Sequence, residues 1–257
     1  MQTEILMIGT ELLLGQIQDT NAAYMARALA AGGINLYWKT TVGDNTERIN
    51  KALQLGLLRS DVILCSGGLG PTVDDITREC VSHVMDMPLE YHDDLYQVIV
   101  ERFRHRNRSL SENNKRQALL PCGAAPIYNS RGTACGLIAE SEKGIIICMP
   151  GVPHELKAML HQVVIPYLCW NFDIHRTIHY RVLKVYGMGE SRVDAAIGDI
   201  INNSDNPTIG LLASRDAVRV RITASAAAKA DAEVLIEPID ALIRQRLEEW
   251  ATGIECE

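Results

Sequence analysis

The chain has 257 residues, 47% of them hydrophobic and 22% charged, with a formal net charge of −7. That is enough chain for one large or two unequal globular domains, and the acidic balance opposes tight, non-specific binding to nucleic acid. No apolar run approaches the ~18 residues of a membrane helix. The start, MQTEILMIG, lacks the basic stretch and long apolar core of a signal peptide, and seven scattered cysteines without a CxxC pair point to reduced thiols in the cytoplasm.

EILMIG (4–9) reads as a buried first strand that stops at Gly9-Thr10-Glu11. Asp19, Thr20 or Asn21 can cap a helix whose apolar positions Ala22, Met25, Ala26 and Leu29 recur at helical spacing, and Gly32-Gly33 ends it. INLYWKTTV (34–42) is a second strand, followed by GDN and a helix through Ile49, Leu53 and Leu57. DVILC (61–65) is a third strand; a glycine-rich loop and a helix from about Asp75 to Met85 follow it. This alternation predicts a parallel sheet with right-handed crossovers. Such sheets carry their sites on the loops at the strand C-termini, where GTE, GDN and SGGLGPTVDD all fall.

Residues 88–120 read as mostly helical and polar, and CGLIAESEKGIIICM (135–149) as a hairpin. PGVPHE opens a helix over about 154–168 with Pro153 at its first turn. The character changes at 168–176. HRTIHYRVLKVYG (175–187) alternates like a strand, GESRVDAAIGDIIN is helical, 208–213 and 217–225 form a hairpin around Ser214-Arg215-Asp216, and a long helix over about 228–250 follows. The order strand, helix, two strands, helix makes this second part a small α+β unit.

SGGLGPTVDDIT (66–77) holds the chemistry. Its glycines admit positive φ and let backbone N–H groups face a ligand, and the helix that follows adds the partial positive charge of its N-terminus. That suits a phosphate or diphosphate. The plain alternative is a strand-to-helix turn with Asp74 or Asp75 as a cap. A diphosphate on such a loop still needs countercharge, which a hard divalent cation supplies when carboxylates and phosphate oxygens share it. Asp74 and Asp75 are the candidate ligands, with Glu11 and Asp44 on neighbouring loops. Glu11 could equally bond backbone, and Asp44 could cap the next helix.

In NSRGTACG (129–136), Ser130, Thr133 and the amides near Gly132 could hold a second anion or form a plain turn. Pro150, Gly151 and Pro153 in MPGVPHE make a stiff bend suited to the wall of a base or sugar pocket. RFRHRNRSLSENNKRQ (102–117) reads as a solvated basic face from which Lys115 and Arg116 could reach an anionic ligand. Cys65 and Cys135 read as small core residues. No HExxH, GKS/T, GxSxG or Nudix-type glutamate cluster occurs.

IGTELLLGQIQDTN, TVGDN, SGGLGPTVDDIT, NNKRQALLP, GTACG and PGVPHELKAML, in that order, resemble the N-terminal domain of the CinA family and its stand-alone relatives. The resemblance covers about residues 3–170 and implies a three-layer α/β molybdopterin-binding-like domain with a mostly parallel sheet, over 1–170, followed by a small α+β KH-like domain over 176–252. It also implies a cytoplasmic homodimer that hydrolyses the pyrophosphate of a nucleotide such as ADP-ribose or FAD, with a divalent metal (Mg, Mn or Co) and potassium. Carried onto this chain, Ser66, Gly67, Gly68, Leu69, Gly70, Pro71 and Thr72 would hold phosphate. Asp74 and Asp75 would be catalytic, holding metal or orienting water, and Glu11, Asn21 and Asp44 would line the same cleft. Three departures limit the transfer. The chain ends at Glu257 without a nicotinamide mononucleotide deamidase domain, Cys135 stands where the family often has Pro, and no clear GxxG clamp supports RNA binding. Two other readings compete: a molybdopterin-binding or adenylyl-transferring enzyme using the same site to join a phosphoanhydride, and a non-catalytic nucleotide-sensing dimer.

Overall fold

The computed structural model describes residues 1–105, 109–248 and 250–256, so Arg106, Asn107 and Arg108 of the basic run lie outside the described residues. The chain divides into two units, one of Met1–Leu29 with Ile34–Asp173, the other of Ala30–Gly33 with the chain from Ile174 onward.

In the first unit, β1 (Thr3–Ile8), β2 (Leu36–Val42), β3 (Val62–Ser66) and β8 (Gly144–Met149) pair in parallel in the order β2-β1-β3-β8. The hairpin partner β7 (Gly136–Ser141) and then β6 (Ala125–Ile127) extend the sheet in antiparallel fashion. Every residue of β1 and β3 is buried, which is why both read as unbroken apolar runs: a parallel strand covered on both faces has no wet side to alternate with. The helices are α1 (Thr10–Leu13), α2 (Thr20–Ala31), α3 (Thr46–Leu57), α4 (Thr77–Met85), α5 (Asp93–His105), α6 (Pro153–Met159) and α7 (Ile165–Asn171). A single π turn at Leu160–Val164 joins α6 to α7 directly ahead of Pro166, which lacks the N–H needed to continue a regular ladder.

Register places the site. Met7 pairs with Ser66, and Ser66 with Met149, so β1, β3 and β8 end level and release their loops side by side. The stretch expected to be mostly helical over 88–120 is broken instead. β4 (Leu89–Tyr91) pairs with β5 (Leu119–Pro121) as a separate two-stranded sheet around α5 and a 3-10 segment, Glu112–Ala118. Strands of three residues are too short to show a period.

The second unit is an antiparallel sheet, β10 (Thr208–Ala213), β11 (Val218–Ala226), β9 (Thr177–Tyr186) and β12 (Gly253–Cys256) in that order, together with α8 (Glu190–Asn203) and α9 (Lys229–Leu247). Leu183, Val185, Val220 and Ile222 from the sheet share one core with Val193, Ile197, Ile236 and Ile243 from the helices. The expected hairpin closes through Ser214, whose amide donates to Ala217 O at 2.9 Å. β12, which the sequence did not suggest, adds to β9 as far as Cys256. Among the described residues, no helix is long and apolar enough to cross a membrane.

One buried charge lies in β1. Glu4, 1% exposed, accepts from Arg59 Nε at 2.9 Å and Nη2 at 2.7 Å, and from Thr40 Oγ1 at 2.6 Å. Removing only the cation leaves a buried carboxylate with one partner. Arg59→Met is expected to lower unfolding free energy in urea by about 3 kcal/mol; an unchanged midpoint would show that the pair offsets nothing.

Candidate functional site

The loop after β3 is set by how closely it approaches its neighbours. Gly67 has φ +113°, and a Cβ there would lie 2.0 Å from Ile8 O; Gly68 has φ +66°, and its Cβ would lie 2.1 Å from Thr77 Oγ1. Only glycine meets both demands. Three successive carbonyls of the loop are then held by the first turn of α4. Gly67 O accepts from Thr77 Oγ1 at 2.9 Å, Gly68 O from Thr77 N at 3.2 Å, and Leu69 O from Arg78 Nη2. In a planar trans peptide the N–H points opposite the C=O. The next amides, those of Gly68, Leu69 and Gly70, are therefore turned away from α4, and none has an acceptor among the described residues. They border a cleft of about 400 Å³ that Gly67, Gly68, Leu69, Gly70 and Pro71 line but Thr77 and Arg78 do not. That volume falls within the ~300–1,000 Å³ of small-molecule sites. Ser66, buried, donates from Oγ to Pro150 O at 3.4 Å and ties this loop to the one after β8.

The acids come from the second half of the same loop, and the Asp75 carboxylate packs against Gly70, where a Cβ would lie 2.4 Å from Oδ2. Thr72 N donates to Asp75 Oδ2 at 2.9 Å, and the Thr72 hydroxyl lies 2.5 Å from both Asp74 Oδ1 and Asp75 Oδ2. That hydroxyl, with Asp74's own backbone amide, holds the exposed Asp74 carboxyl below the usual carboxylate range. Asp74 and Asp75 both line the cleft. Neither caps α4, whose N-cap position is Ile76 and receives no side-chain cap. Arg116 fixes the loop from outside, donating to Thr72 O at 2.8 Å and Asp75 O at 3.4 Å while pairing with Glu79 at 2.7 Å. Arg116 is thus engaged with the loop's backbone and Lys115 with the exposed Glu112, and neither lines the cleft.

Glu11 and Asp44 also line the cleft. The Glu11 carboxylate lies over Gly9 and has no hydrogen-bond partner among the described residues, which settles its alternatives against a backbone bond. Asp44 is not the cap of α3; Asn45 is, accepting from Arg48 N at 3.1 Å. Asp44 instead accepts from Thr10 N at 2.8 Å while its own amide donates to Thr10 Oγ1 at 3.1 Å, clipping the β2 loop to the start of α1.

A second cleft of about 160 Å³ meets the first at Ile8, Glu11 and Gly151. Asn21 lines it, and its Nδ2 donates to Gly151 O at 2.6 Å, which leaves Oδ1 buried without a partner. Asp19 caps α2, accepting from Ala22 N at 2.9 Å. Pro150 and Gly151 line the larger cleft, and Gly151 and Pro153 the smaller one.

The second glycine stretch departs from expectation. Its amides are used internally: Asn129 Oδ1 accepts from Arg131 N at 2.9 Å and Gly132 N at 2.7 Å, and Asn129 Nδ2 donates to Glu155 Oε2 at 2.6 Å. The Glu155 carboxylate packs on Gly132, where a Cβ would lie 2.1 Å from Oε1. A carboxylate stands where a second anion was expected, Ser130 is outside both clefts, and only Thr133 of that group lines the larger one. Cys135 donates from Sγ to Ile127 O at 3.2 Å, and burial pushes its thiol up to about 12, so it is a core residue rather than a nucleophile.

Residues 4–170 match the model described as "Probable molybdopterin binding domain", and 180–253 the model of the damage-inducible protein CinA KH domain. A solved structure titled as the protein CinA with unknown function, from Thermoplasma acidophilum, is 32% identical and superposes with a TM-score of 0.58, covering 62% of this chain and 94% of that one. The chain belongs to the CinA family. Competence-damage inducible proteins of Clostridium novyi and Caldicellulosiruptor bescii are each 42% identical to it, over 96% and 99% of this chain and 59% and 62% of theirs. This CinA-family chain thus spans about three fifths of the length of those relatives.

Three residues that organise the site were missed from the CinA-family sequence: Thr77, Arg78 and Asn129. The Thr-Arg-Glu that follows Asp-Asp-Ile was the available signal for the first two, since a hydroxyl and a guanidinium one turn past a glycine loop can reach its carbonyls.

The Thr72 contact carries a pH consequence. A carboxyl held below its ordinary value stabilises the fold above that value, and the contribution is lost as pH falls through the depressed one. In Thr72→Val, the Asp74 pKa followed by carboxyl-carbon NMR is expected to rise toward the ordinary range. An unmoved titration would contradict the assignment.

Proposed function

We propose that this chain is a nucleotide pyrophosphatase, cleaving the phosphoanhydride of a dinucleotide such as ADP-ribose or FAD. The observation that supports this reading is the facing of opposite chemistries across one cleft: three adjacent unpaired amides at Gly68, Leu69 and Gly70, and carboxylates at Glu11, Asp44, Asp74 and Asp75. The amides suit the oxygens of a diphosphate. The second cleft, which shares Ile8, Glu11 and Gly151 with the first, gives the other half of a dinucleotide a place to lie.

In the proposed reaction a water oxygen bonds to one phosphorus, and the bond from that phosphorus to the bridging oxygen breaks. The bridging oxygen leaves with the other phosphate, so ADP-ribose yields AMP and ribose 5-phosphate. The loop amides take up charge developing on the phosphoryl oxygens. Glu11, whose carboxylate is unengaged, accepts the water's proton. Among the described residues, no three His, Cys, Asp or Glu side chains converge to hold a metal by themselves. Asp74 and Asp75, both lining the cleft, would hold a divalent cation only together with the ligand's own oxygens. Such a cation, when bound, supplies neutralisation of phosphoryl charge.

A second reading draws on the molybdopterin-binding description of the matching family model. The phosphate of a pterin would rest on the same amides, in a binding or adenylyl-transferring enzyme.

The purified chain incubated with ADP-ribose or FAD and Mg²⁺, Mn²⁺ or Co²⁺ is expected to release AMP, with Asp74→Asn and Glu11→Gln each slowing release by about 10²–10⁴-fold. No AMP above the Asp74→Asn control contradicts hydrolysis. Thermal stabilisation by molybdopterin but not by ADP-ribose favours the second reading.

A further inference from the structure

Arg78 is only 2% exposed, one of the largest fully buried side chains of the protein. Its Nη2 donates to Leu69 O, its Nε is buried without a partner, and it forms no ion pair among the described residues. Neither of the two acids nearest on its own element and loop pairs with it: Glu79 gives Oε1 to Arg116 and keeps Oε2 buried without a partner, and Asp75 is bonded to Thr72. Burial lowers the affinity of the guanidinium for its proton, and the neighbouring Glu79 only partly offsets this. Arginine does not deprotonate in proteins, so the charge stays and its desolvation goes largely uncompensated. A fold seldom retains an unpaired buried cation unless some opposite charge is to arrive.

The place of arrival is fixed by the peptide that Arg78 holds. Leu69 C=O points at the guanidinium, so the N–H of Gly70 in the same peptide plane points away from it, at a residue that lines the cleft beside the Asp75 carboxylate. Donation from a cation to the carbonyl polarises that peptide and strengthens its N–H as a donor. We infer that Arg78 is a positioning residue of the anion cradle, a cation buried behind the Gly67–Gly70 loop that aims and polarises the Gly70 amide and whose charge is balanced when a diphosphate occupies the cleft. The inference rests on the reading of this cleft as a diphosphate site. It adds that the countercharge lies behind the backbone, out of contact with the ligand.

The test compares wild type, Arg78→Met and Arg78→Lys by calorimetry with inorganic pyrophosphate and with ADP-ribose, with and without Mg²⁺, and by thermal unfolding of the ligand-free proteins. Arg78→Met is expected to unfold no lower than wild type, because an apolar side chain replaces an unpaired buried charge. It is expected to bind pyrophosphate about 10- to 100-fold more weakly, the loss typical of a hydrogen bond to a charged group. Arg78→Lys, which keeps the charge, recovers most of that affinity. Pyrophosphate affinity of Arg78→Met within about twofold of wild type overturns the inference. So does a marked loss of ligand-free stability in Arg78→Met, or an Arg78→Lys that binds no better, since either outcome marks a purely structural role. Absence of wild-type binding in both buffers overturns it too. Hydrolysis is scored apart: Arg78-dependent binding without AMP release keeps this inference and sinks the pyrophosphatase, and AMP release indifferent to Arg78 does the reverse.

Discussion

Three peptide planes between Gly67 and Gly70 are gripped by the first turn of α4, and the candidate site follows from that grip. Thr77 supplies a hydroxyl and an amide, and Arg78 a guanidinium, to three consecutive carbonyls. Because a peptide's two polar groups point in opposite directions, satisfying the carbonyls inward commits the amides outward. Unpaired amides beside a cavity cost free energy unless solvent or a ligand meets them. The loop's shape is set by its backbone, and its side chains contribute mainly by being absent: a Cβ at Gly67 or Gly68 would strike Ile8 O or Thr77 Oγ1.

The rest of the first unit serves to bring opposite charge to that loop. Level ends of β1, β3 and β8 put Gly9, Gly67 and Gly151 beside one another, and each following segment carries one wall of the cleft. Arg116 pins Thr72 and Asp75 by their carbonyls, which fixes the backbone that carries the two aspartates. Asp44 and Thr10 clip the first and second loops together, which keeps Glu11 at the junction of the two clefts. Acid and amide thereby line one cleft, with the Asp75 carboxylate against Gly70 and the Glu11 carboxylate over Gly9.

Much of this was legible in the sequence because parallel sheets write themselves in unbroken apolar runs. EILMIG, DVILC and GIIICM appear as β1, β3 and β8, and the glycine loop falls where such a sheet exposes its loops. The α+β order of the second unit was equally plain from alternation in β9 and β11. What failed depended on partners distant in the chain. Asp44 looked like a helix cap until Thr10, 34 positions away, claimed it, and Asn45 did the capping. Gly132 looked like a second anion site because Glu155, 23 positions on, is the carboxylate that packs on it, while Asn129 takes up its amide. Arg116 read as a free cation on a basic face, and only its reach to Thr72 and Glu79 shows it as a staple. β4, β5 and β12 are too short to carry a period, and pairing alone makes them strands.

The central claim is that the amides of Gly68, Leu69 and Gly70 form the anion cradle. A titration of ¹⁵N-labelled protein with inorganic pyrophosphate reads those three N–H groups directly. The account predicts that their resonances move together and saturably, downfield in the proton dimension, as a backbone donor does when it gains a charged acceptor. Resonances of these three that stay still while those of Arg131 and Gly132 move would contradict it.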